Sequence, residues 1–232
     1  MCGRYGFGNP ARLDALGLGV ALPPIGPRFN VAPSQSVPLV SMGDTGRVAR
    51  LVKWGLVPSW ADDTGIGYKL ANARADTIAT KSSFRSSFKS RRGLLPADLF
   101  YEWQAIPGQK IKQPWCIRRP EQAPFAFGAI WDSWSPKNDP FVEPLLTCTI
   151  ITTEPNAVVG RVHDRMPVII PEAQMDEWLD PAITVSRAQQ LLVPYADVLE
   201  IYPVSLYLNS PKHDDAKCAA RLAQYEPRSA ED

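Results

Sequence analysis

A cysteine directly behind the first methionine is the residue of greatest chemical interest in this sequence. The chain starts MCGRYGFGN, so removal of Met1 would leave Cys2 with a thiol and a free α-amine on adjacent carbons. An α-amine has a pKa near 7.7 to 8.0, so about a third of it is neutral at cellular pH, against about one lysine in a thousand. A neutral amine attacks an aldehyde to give an imine, and the thiol can then close a thiazolidine ring. The alternative, that Cys2 is a small apolar residue starting a strand, stays open on this stretch alone.

Few polar residues could carry the protons that such chemistry requires. His163 lies in VHDRMP, before a predicted strand, and is better placed than His213, which sits in the polar stretch KHDDAK and is expected to be solvated. Glu102 lies between aromatic residues in FYEW, where a carboxylate either finds a partner or has its pKa raised. Asn72, in ANARAD, could hydrogen-bond a sugar hydroxyl or cap a helix. If these residues have no chemical role, His163 would be a histidine packed in the structure and Glu102 an outward-facing acid on an edge strand.

The charge distribution is uneven, although the 232-residue chain has a formal net charge of only +1. Between Lys69 and Arg92, seven basic residues accompany a single acid, Asp76. This excess could follow a phosphate backbone or form a solvated helical face. The seven are Lys69, Arg74, Lys81, Arg85, Lys89, Arg91 and Arg92.

Composition also limits the class of protein. The four cysteines are widely spaced and there are only two histidines, so the sequence predicts no disulfide framework, no metal site and no cofactor. Neither a signal peptide nor a membrane span is recognisable. We therefore expect a cytoplasmic protein that does not act on membranes.

Short strands dominate the predicted architecture. The 23 prolines are scattered along the chain, and proline interrupts helices and central strands alike. VPLVSM and RVARLVKWGLV are predicted to form a hairpin around GDTG, and GLLPADLFYEW, QPWCIRR, FAFGAIWDSW and LLTCTIITT are further strands. Residues 70–89 are predicted to form two short helical pieces. The expected fold is α+β: a single domain, residues 1–220, built on a curved, barrel-like, mainly antiparallel sheet flanked by short helices, with 221–232 as a frayed tail.

Eight short motifs, taken in order, identify a family. MCGRY, RFNVAP, WGLVPSWA, NARAD, FYEW, IITT, HDRMPVII and PVS together resemble the SOS response-associated peptidase (SRAP) family, also called abasic site processing proteins. The match runs from Cys2 to about Asp215. It implies a partner, single-stranded DNA containing abasic sites, and a covalent thiazolidine between the terminal cysteine and the sugar aldehyde. It also implies autoproteolytic removal of Met1. We expect a monomer that associates with the nucleoid when it is bound to DNA.

The resemblance also implies a role for individual residues. Cys2 would be the nucleophile, Asn72 would orient the sugar, and Glu102 and His163 would transfer protons. The residues expected to contact DNA are Arg4 and Arg74 at the flanking phosphates, Trp103 and Thr152 lining the site, and Arg85 and Arg165. Three positions depart from the usual family pattern without touching a proposed catalytic group: Leu99 replaces glycine, Asp76 replaces glutamate and Pro155 replaces alanine.

Two other functions use the same residues. A thiol protease could employ Cys2, His163 and Asn72, but this mechanism does not require the cysteine to be terminal. A non-covalent reader of DNA could use the basic stretch and stack bases on Trp54, Trp60 and Trp103. An added N-terminal residue should spare the protease and abolish crosslinking, and Cys2→Ser should leave a reader's affinity intact.

Overall fold

The computed structural model describes residues 2–137, 139 and 141–223. Met1 and residues 224–232 of the predicted tail lie outside these ranges, within which the chain forms 13 strands and three α-helices joined by 3₁₀ turns. The strands are β1 Arg4–Phe7, β2 Arg28–Val31, β3 Ser36–Gly43, β4 Gly46–Trp54, β5 Asn72–Arg74, β6 Arg92–Ala97, β7 Leu99–Gln104, β8 Gln113–Arg118, β9 Phe125–Trp134, β10 Leu145–Thr153, β11 Met166–Pro167, β12 Ile169–Ile170 and β13 Glu200–Pro203. The α-helices are α1 Arg85–Ser90, α2 Met175–Leu179 and α3 Val185–Gln190. The 3₁₀ helices are Pro10–Leu16, Thr64–Lys69, Pro120–Gln122, Val159–Arg161, Glu172–Gln174, Leu206–Asn209 and Ala216–Ala219.

Five strands close into a barrel. Strands β10, β4, β3, β6 and β9 are neighbours in that order, and β9 pairs back onto β10. The predicted hairpin is confirmed, because β3 and β4 are antiparallel and Gly43 pairs with Gly46 across the turn. The β4–β10 pairing is parallel and the other barrel pairings are antiparallel. The expected curved, barrel-like, mainly antiparallel sheet is thus confirmed.

A second, fully antiparallel sheet packs on the barrel. Its strand order is β13-β8-β7-β1-β2, which puts β1 between β7 and β2. On one face, Tyr5 of β1 contacts Trp54 and Phe127 of the barrel edge-on, with ring centroids 5.3 and 5.5 Å apart. On the other face, Tyr101 packs with Leu208 of the C-terminal segment. Because this sheet is covered on both faces, the N-terminal strand is held rigidly by burial of large side chains.

Two local predictions are wrong. The segment 70–89 contains one α-helix, α1, and Asn72–Arg74 forms strand β5, which pairs in parallel with β10. Pairing with a distant strand overrides the polar, helix-like local sequence here. Beyond the end of β4 the edge of β10 is free to pair with β5, and this pairing buries Ala73 fully. GLLPADLFYEW contains two strands rather than one. The chain turns at Asp98, which receives a hydrogen bond from the Asn9 backbone N–H, and passes from the barrel to the second sheet.

No helix within the described ranges is long and apolar enough to cross a lipid bilayer.

Candidate active site

Cys2 lies, buried, two residues before β1, the strand that runs between β7 and β2 in the second sheet. The register of β1 with β7 pairs Arg4 with Tyr101, and its continuation brings Cys2 beside Trp103. The Cys2 side chain is fully buried, and its Sγ lies 3.8 Å from the Arg4 carbonyl oxygen. Burial raises the pKa of the Cys2 thiol strongly, and the charge of Glu102 raises it further. The sulfur is therefore a neutral thiol at physiological pH.

Asn72 is joined directly to Cys2 by a hydrogen bond. Its Nδ2 donates to the Cys2 carbonyl oxygen at 2.9 Å. Its Oδ1 is buried and accepts no hydrogen bond from any residue that the structure describes. An unsatisfied buried acceptor is costly, so this oxygen is suited to a hydroxyl or amine donor that the reaction supplies. Asn72 lies in a strand, which excludes the helix-cap alternative.

Glu102 and His163 form an acid–base pair. Glu102 Oε2 lies 3.7 Å from His163 Nε2, beyond direct hydrogen-bond length but within strong electrostatic range. Burial raises the pKa of Glu102 to about 7 and lowers the pKa of His163. His163 Nδ1 lies 3.0 Å from the Arg165 backbone N–H donor and 3.0 Å from the Asp164 carboxylate, so its contacts suit either tautomer of the neutral ring, and Nε2 faces Glu102. Glu102 can therefore exchange protons near neutral pH. The environment predicted for Glu102 from its aromatic neighbours is confirmed.

Two arginines flank the end of β10. Thr152 pairs with Arg74 of β5 on one side and with Pro167 of β11 on the other. Arg165 Nη2 donates to the Thr152 carbonyl oxygen at 2.6 Å and to Thr152 Oγ1 at 3.0 Å. The Arg74 guanidinium pairs with Asp76 instead. Burial and the nearby Arg74 charge lower the pKa of Arg165, as expected for two close cations.

Arg4 and Trp103 are tied to the C-terminal segment. Arg4 Nη1 donates to Asn30 Oδ1 at 2.9 Å and to the Leu208 carbonyl oxygen at 3.2 Å, and Trp103 Nε1 donates to Asn209 Oδ1 at 2.8 Å. Much of the donor capacity of the Arg4 guanidinium is therefore used within the protein. The contact of Arg4 with a phosphate stays a prediction.

Asn30 and Asp214 are residues that sequence reasoning did not single out. Asn30 is fully buried, and its Nδ2 donates to the carbonyl oxygens of Leu208, Ser210 and His213 at 3.1, 3.0 and 2.7 Å. Asp214 accepts from the Asn30 backbone N–H at 2.7 Å. The available signal was an asparagine inside the apolar run of RFNVAP. His213, which was expected to be solvated, is half-buried, and its ring stacks on Tyr207 with centroids 3.6 Å apart.

The basic stretch does not form one surface. Arg92 is buried and donates to the Trp178 and Phe88 carbonyl oxygens, and Arg91 pairs with Asp132. Arg85 is the first residue of α1. This helix contacts Asp132 of β9 through the Ser87 hydroxyl, and Asp132 in turn pairs with Thr147 of β10. Thr147 precedes Thr152 by five strand residues, roughly 17 Å. The contacts of the described residues therefore bring Arg74 to the site and do not bring Arg85 there.

Two of the three tryptophans considered for base stacking are accessible. Trp54 is fully buried, and its Nε1 donates to the Ala71 carbonyl oxygen at 2.8 Å, so it cannot stack on a base. Trp60 is 52% exposed and Trp103 is partly exposed. A surface for stacking bases would therefore use Trp60 or Trp103.

Comparison with known proteins identifies the family. The model for "SOS response associated peptidase (SRAP)" matches residues 1–211, so the chain belongs to this family and the resemblance inferred from its motifs is confirmed. Abasic site processing protein YoaM of Bacillus subtilis (strain 168) is 46% identical over 194 residues, which cover 82% of this chain and 83% of that protein. Abasic site processing protein HMCES of Gallus gallus is 31% identical over 223 residues, covering 83% of this chain and 65% of that protein. A crystal structure of a protein from Bacteroides thetaiotaomicron matches with a TM-score of 0.84 and 25% identity, covering 95% of this chain and 100% of that one.

Proposed function

We propose that this protein processes abasic sites in single-stranded DNA by forming a covalent thiazolidine between Cys2 and the sugar aldehyde. The observation that carries the proposal is the convergence of four distant segments on one buried place. Cys2 and Asn72 share a 2.9 Å hydrogen bond, Glu102 and His163 lie 3.7 Å apart, and the charge of Glu102 acts on the Cys2 thiol. The names of the relatives YoaM and HMCES, abasic site processing proteins, support the choice of lesion.

The reaction needs no oxidant, reductant or cofactor. After Met1 is removed, the Cys2 amine adds to the aldehyde carbon of the ring-opened sugar. Loss of one water, which takes the aldehyde oxygen and both amine hydrogens, gives an imine. The sulfur then bonds to the imine carbon while the thiol proton passes to the nitrogen, which closes the ring. Because the buried thiol is neutral, the amine acts first and the sulfur follows.

The acid–base pair supplies the protons for these steps. With a pKa of about 7, Glu102 is present in both forms near neutral pH. Its protonated form can protonate the sugar ring oxygen and the hydroxyl group that leaves as water, and its ionised form can accept the thiol proton. His163 Nε2 faces Glu102 and can exchange a proton with it, and Asn72 Oδ1 accepts from a sugar hydroxyl or from the Cys2 amine. We also propose that Glu102 and His163 transfer protons during hydrolysis of the Met1–Cys2 peptide bond.

DNA binding completes the proposal. Arg74, Arg165 and Arg4 would contact phosphates, Thr152 would line the sugar pocket, and Trp103 would stack on a base. A single strand suits a buried nucleophile, because an unpaired nucleotide enters a pocket without the cost of unstacking a duplex. We attribute this activity to a cytoplasmic monomer that joins the nucleoid through the DNA it binds.

A denaturing gel tests the covalent step. Met1-processed protein is mixed with a single-stranded oligonucleotide that carries one abasic site, beside Cys2→Ala, Cys2→Ser and a form with one residue added before Cys2. Cys148→Ala is the matched control, because Cys148 is an equally buried thiol in the barrel core. We expect a shifted band for the wild type and Cys148→Ala alone. Absence of a wild-type band would refute the covalent mechanism, and a band with the extended form would refute the need for the α-amine.

A further inference from the structure

The two arginines at the end of β10, Arg74 and Arg165, differ in their hydrogen-bond partners and in their exposure to solvent. Arg165 is held by Thr152, whereas Arg74 is about half exposed. In the part of the chain that the structure describes, the Arg74 guanidinium hydrogen-bonds only to Asp76, with Nε 3.1 Å from Oδ1 and Nη2 2.5 Å from Oδ2. Two parallel N–H···O bonds are also the way in which a guanidinium binds a phosphate. Asp76 therefore presents to Arg74 the same pattern of acceptors that a DNA phosphate would present.

This arrangement is built into the backbone. Arg74 ends β5, and the next residue is fixed to the barrel because the Ala75 backbone N–H donates to the Thr152 carbonyl oxygen at 2.9 Å. The Thr77 N–H then donates to the Arg74 carbonyl oxygen at 3.1 Å, which closes a tight turn. The turn brings Asp76 back toward Arg74. The hydrogen bonds from Arg74 lower the pKa of Asp76 to about 2, so the carboxylate keeps its charge at every physiological pH.

We propose that Asp76 acts as an internal competitor that occupies the phosphate-binding side of Arg74 and so weakens the binding of intact single strands. The inference rests on the proposed function. Both partners are about half exposed, with side-chain accessibilities of 54% and 51%, so the ion pair is screened by water and a phosphate can displace it at small cost. Displacement leaves the Asp76 carboxylate close to the incoming phosphate, and this repulsion adds to the penalty.

The penalty would raise the selectivity for lesions. An intact strand binds through phosphate contacts and stacking alone, so any loss at Arg74 lowers its occupancy directly. An abasic strand forms a covalent bond with Cys2, which holds the complex even when a phosphate contact is weak. A device that weakens only the non-covalent complex therefore favours the damaged strand over undamaged competitors.

Binding of intact single-stranded DNA, measured by fluorescence anisotropy over a salt series, tests the inference. The variant is Asp76→Asn, which keeps the side-chain shape and removes the charge. Asp62→Asn is the matched control, because Asp62 forms a similar exposed ion pair with Lys137 at 2.5 Å. We expect Asp76→Asn to bind about three- to tenfold more tightly at low salt, with a log–log salt slope steeper by at most about 0.7, and Asp62→Asn to match the wild type.

Several results would overturn the inference. Unchanged binding by Asp76→Asn would show that Asp76 does not compete, and weaker binding would show that it orients Arg74 toward DNA. An equal gain for Asp62→Asn would show a general charge effect. In the crosslinking assay, less intact competitor should be needed to halve adduct formation by Asp76→Asn. Anisotropy with intact DNA contains no covalent step, so failure of the proposed function, seen as a missing adduct, is a separate result.

Discussion

Two carboxylates are buried to nearly the same degree in this molecule, and their surroundings are opposite. Asp132 of β9 is 3% exposed and Glu102 of β7 is 1% exposed. Asp132 accepts hydrogen bonds from the Ser59 backbone N–H at 3.1 Å and the Ser87 hydroxyl at 3.3 Å, and it pairs with Arg91 at 3.1 Å. These donors stabilise a negative charge and join three segments at one end of the barrel.

Glu102 has a histidine for its neighbour instead of an arginine. His163 Nε2 lies 3.7 Å away, and burial raises the pKa of Glu102 to about 7. The lesson of the comparison is that burial alone does not make a carboxylate functional. A carboxylate surrounded by cationic and N–H donors stabilises the fold, whereas one whose charge is penalised by burial is prepared to move protons.

The largest expected effect is on the rate of crosslinking. Glu102→Gln removes the proton carrier and keeps the shape, so we expect thiazolidine formation to slow by about 10²- to 10⁴-fold. Single-turnover gel assays at pH 7 measure this rate. Asp132→Asn is the control, and its folded fraction should react at the wild-type rate. A Glu102→Gln rate within a factor of about three of the wild type would remove the distinction between the two carboxylates.

The converse effect is on stability. Asp132→Asn leaves Arg91 and the donors around it without an anion, so we expect the free energy of unfolding to fall by about 3 kcal/mol. Partial exposure of Arg91 keeps the loss below the upper end of the range for buried pairs. Urea denaturation at pH 7 gives the comparison with Glu102→Gln, which should lose no stability. A greater loss for Glu102→Gln would reverse the assignment of roles.

The smallest expected effect depends on pH and concerns Glu102 alone. In the unfolded chain the carboxyl ionises near its ordinary pKa of 4.5, but in the folded protein it stays protonated until about pH 7. The contribution of protonated Glu102 to the free energy of unfolding is therefore fully present below pH 4.5 and is lost as the pH rises through 7. Glu102→Gln lacks this loss, so its stability relative to the wild type should increase by on the order of 2 kcal/mol between pH 5 and 8.

Denaturation curves at several pH values check this last prediction. Asp132→Asn, measured in parallel, separates a titration of Glu102 from a general effect of pH on the fold. A stability difference between Glu102→Gln and the wild type that stays constant from pH 5 to 8 would contradict a raised pKa.

Several features of the fold could be predicted from the sequence because they depend only on residues that are close together in the chain. The hairpin around GDTG forms where turn residues separate two β-rich runs, and β9 and β10 form where β-branched and aromatic residues are concentrated. The environment of Glu102 followed from its aromatic neighbours in FYEW. Other features depended on contacts between distant segments. Asn72–Arg74 is a strand because β10 offers an unpaired edge, and Arg92 is buried because Trp178 and Asp180 receive its hydrogen bonds.

By itself, the sequence determined the family and the chemical types at the site, because side chains and their order are written in it directly. Cys2, Asn72, Glu102 and His163 could each be named from their motifs. Only the tertiary structure decided that Asn72 holds the Cys2 carbonyl, that Glu102 faces His163, and that Arg74 is paired with Asp76. It also separated Glu102 from Asp132. Both are acids in aromatic-rich strands, so their sequences alone do not distinguish them. Their roles differ because the partners of a buried carboxylate are set by distances that only the folded chain creates.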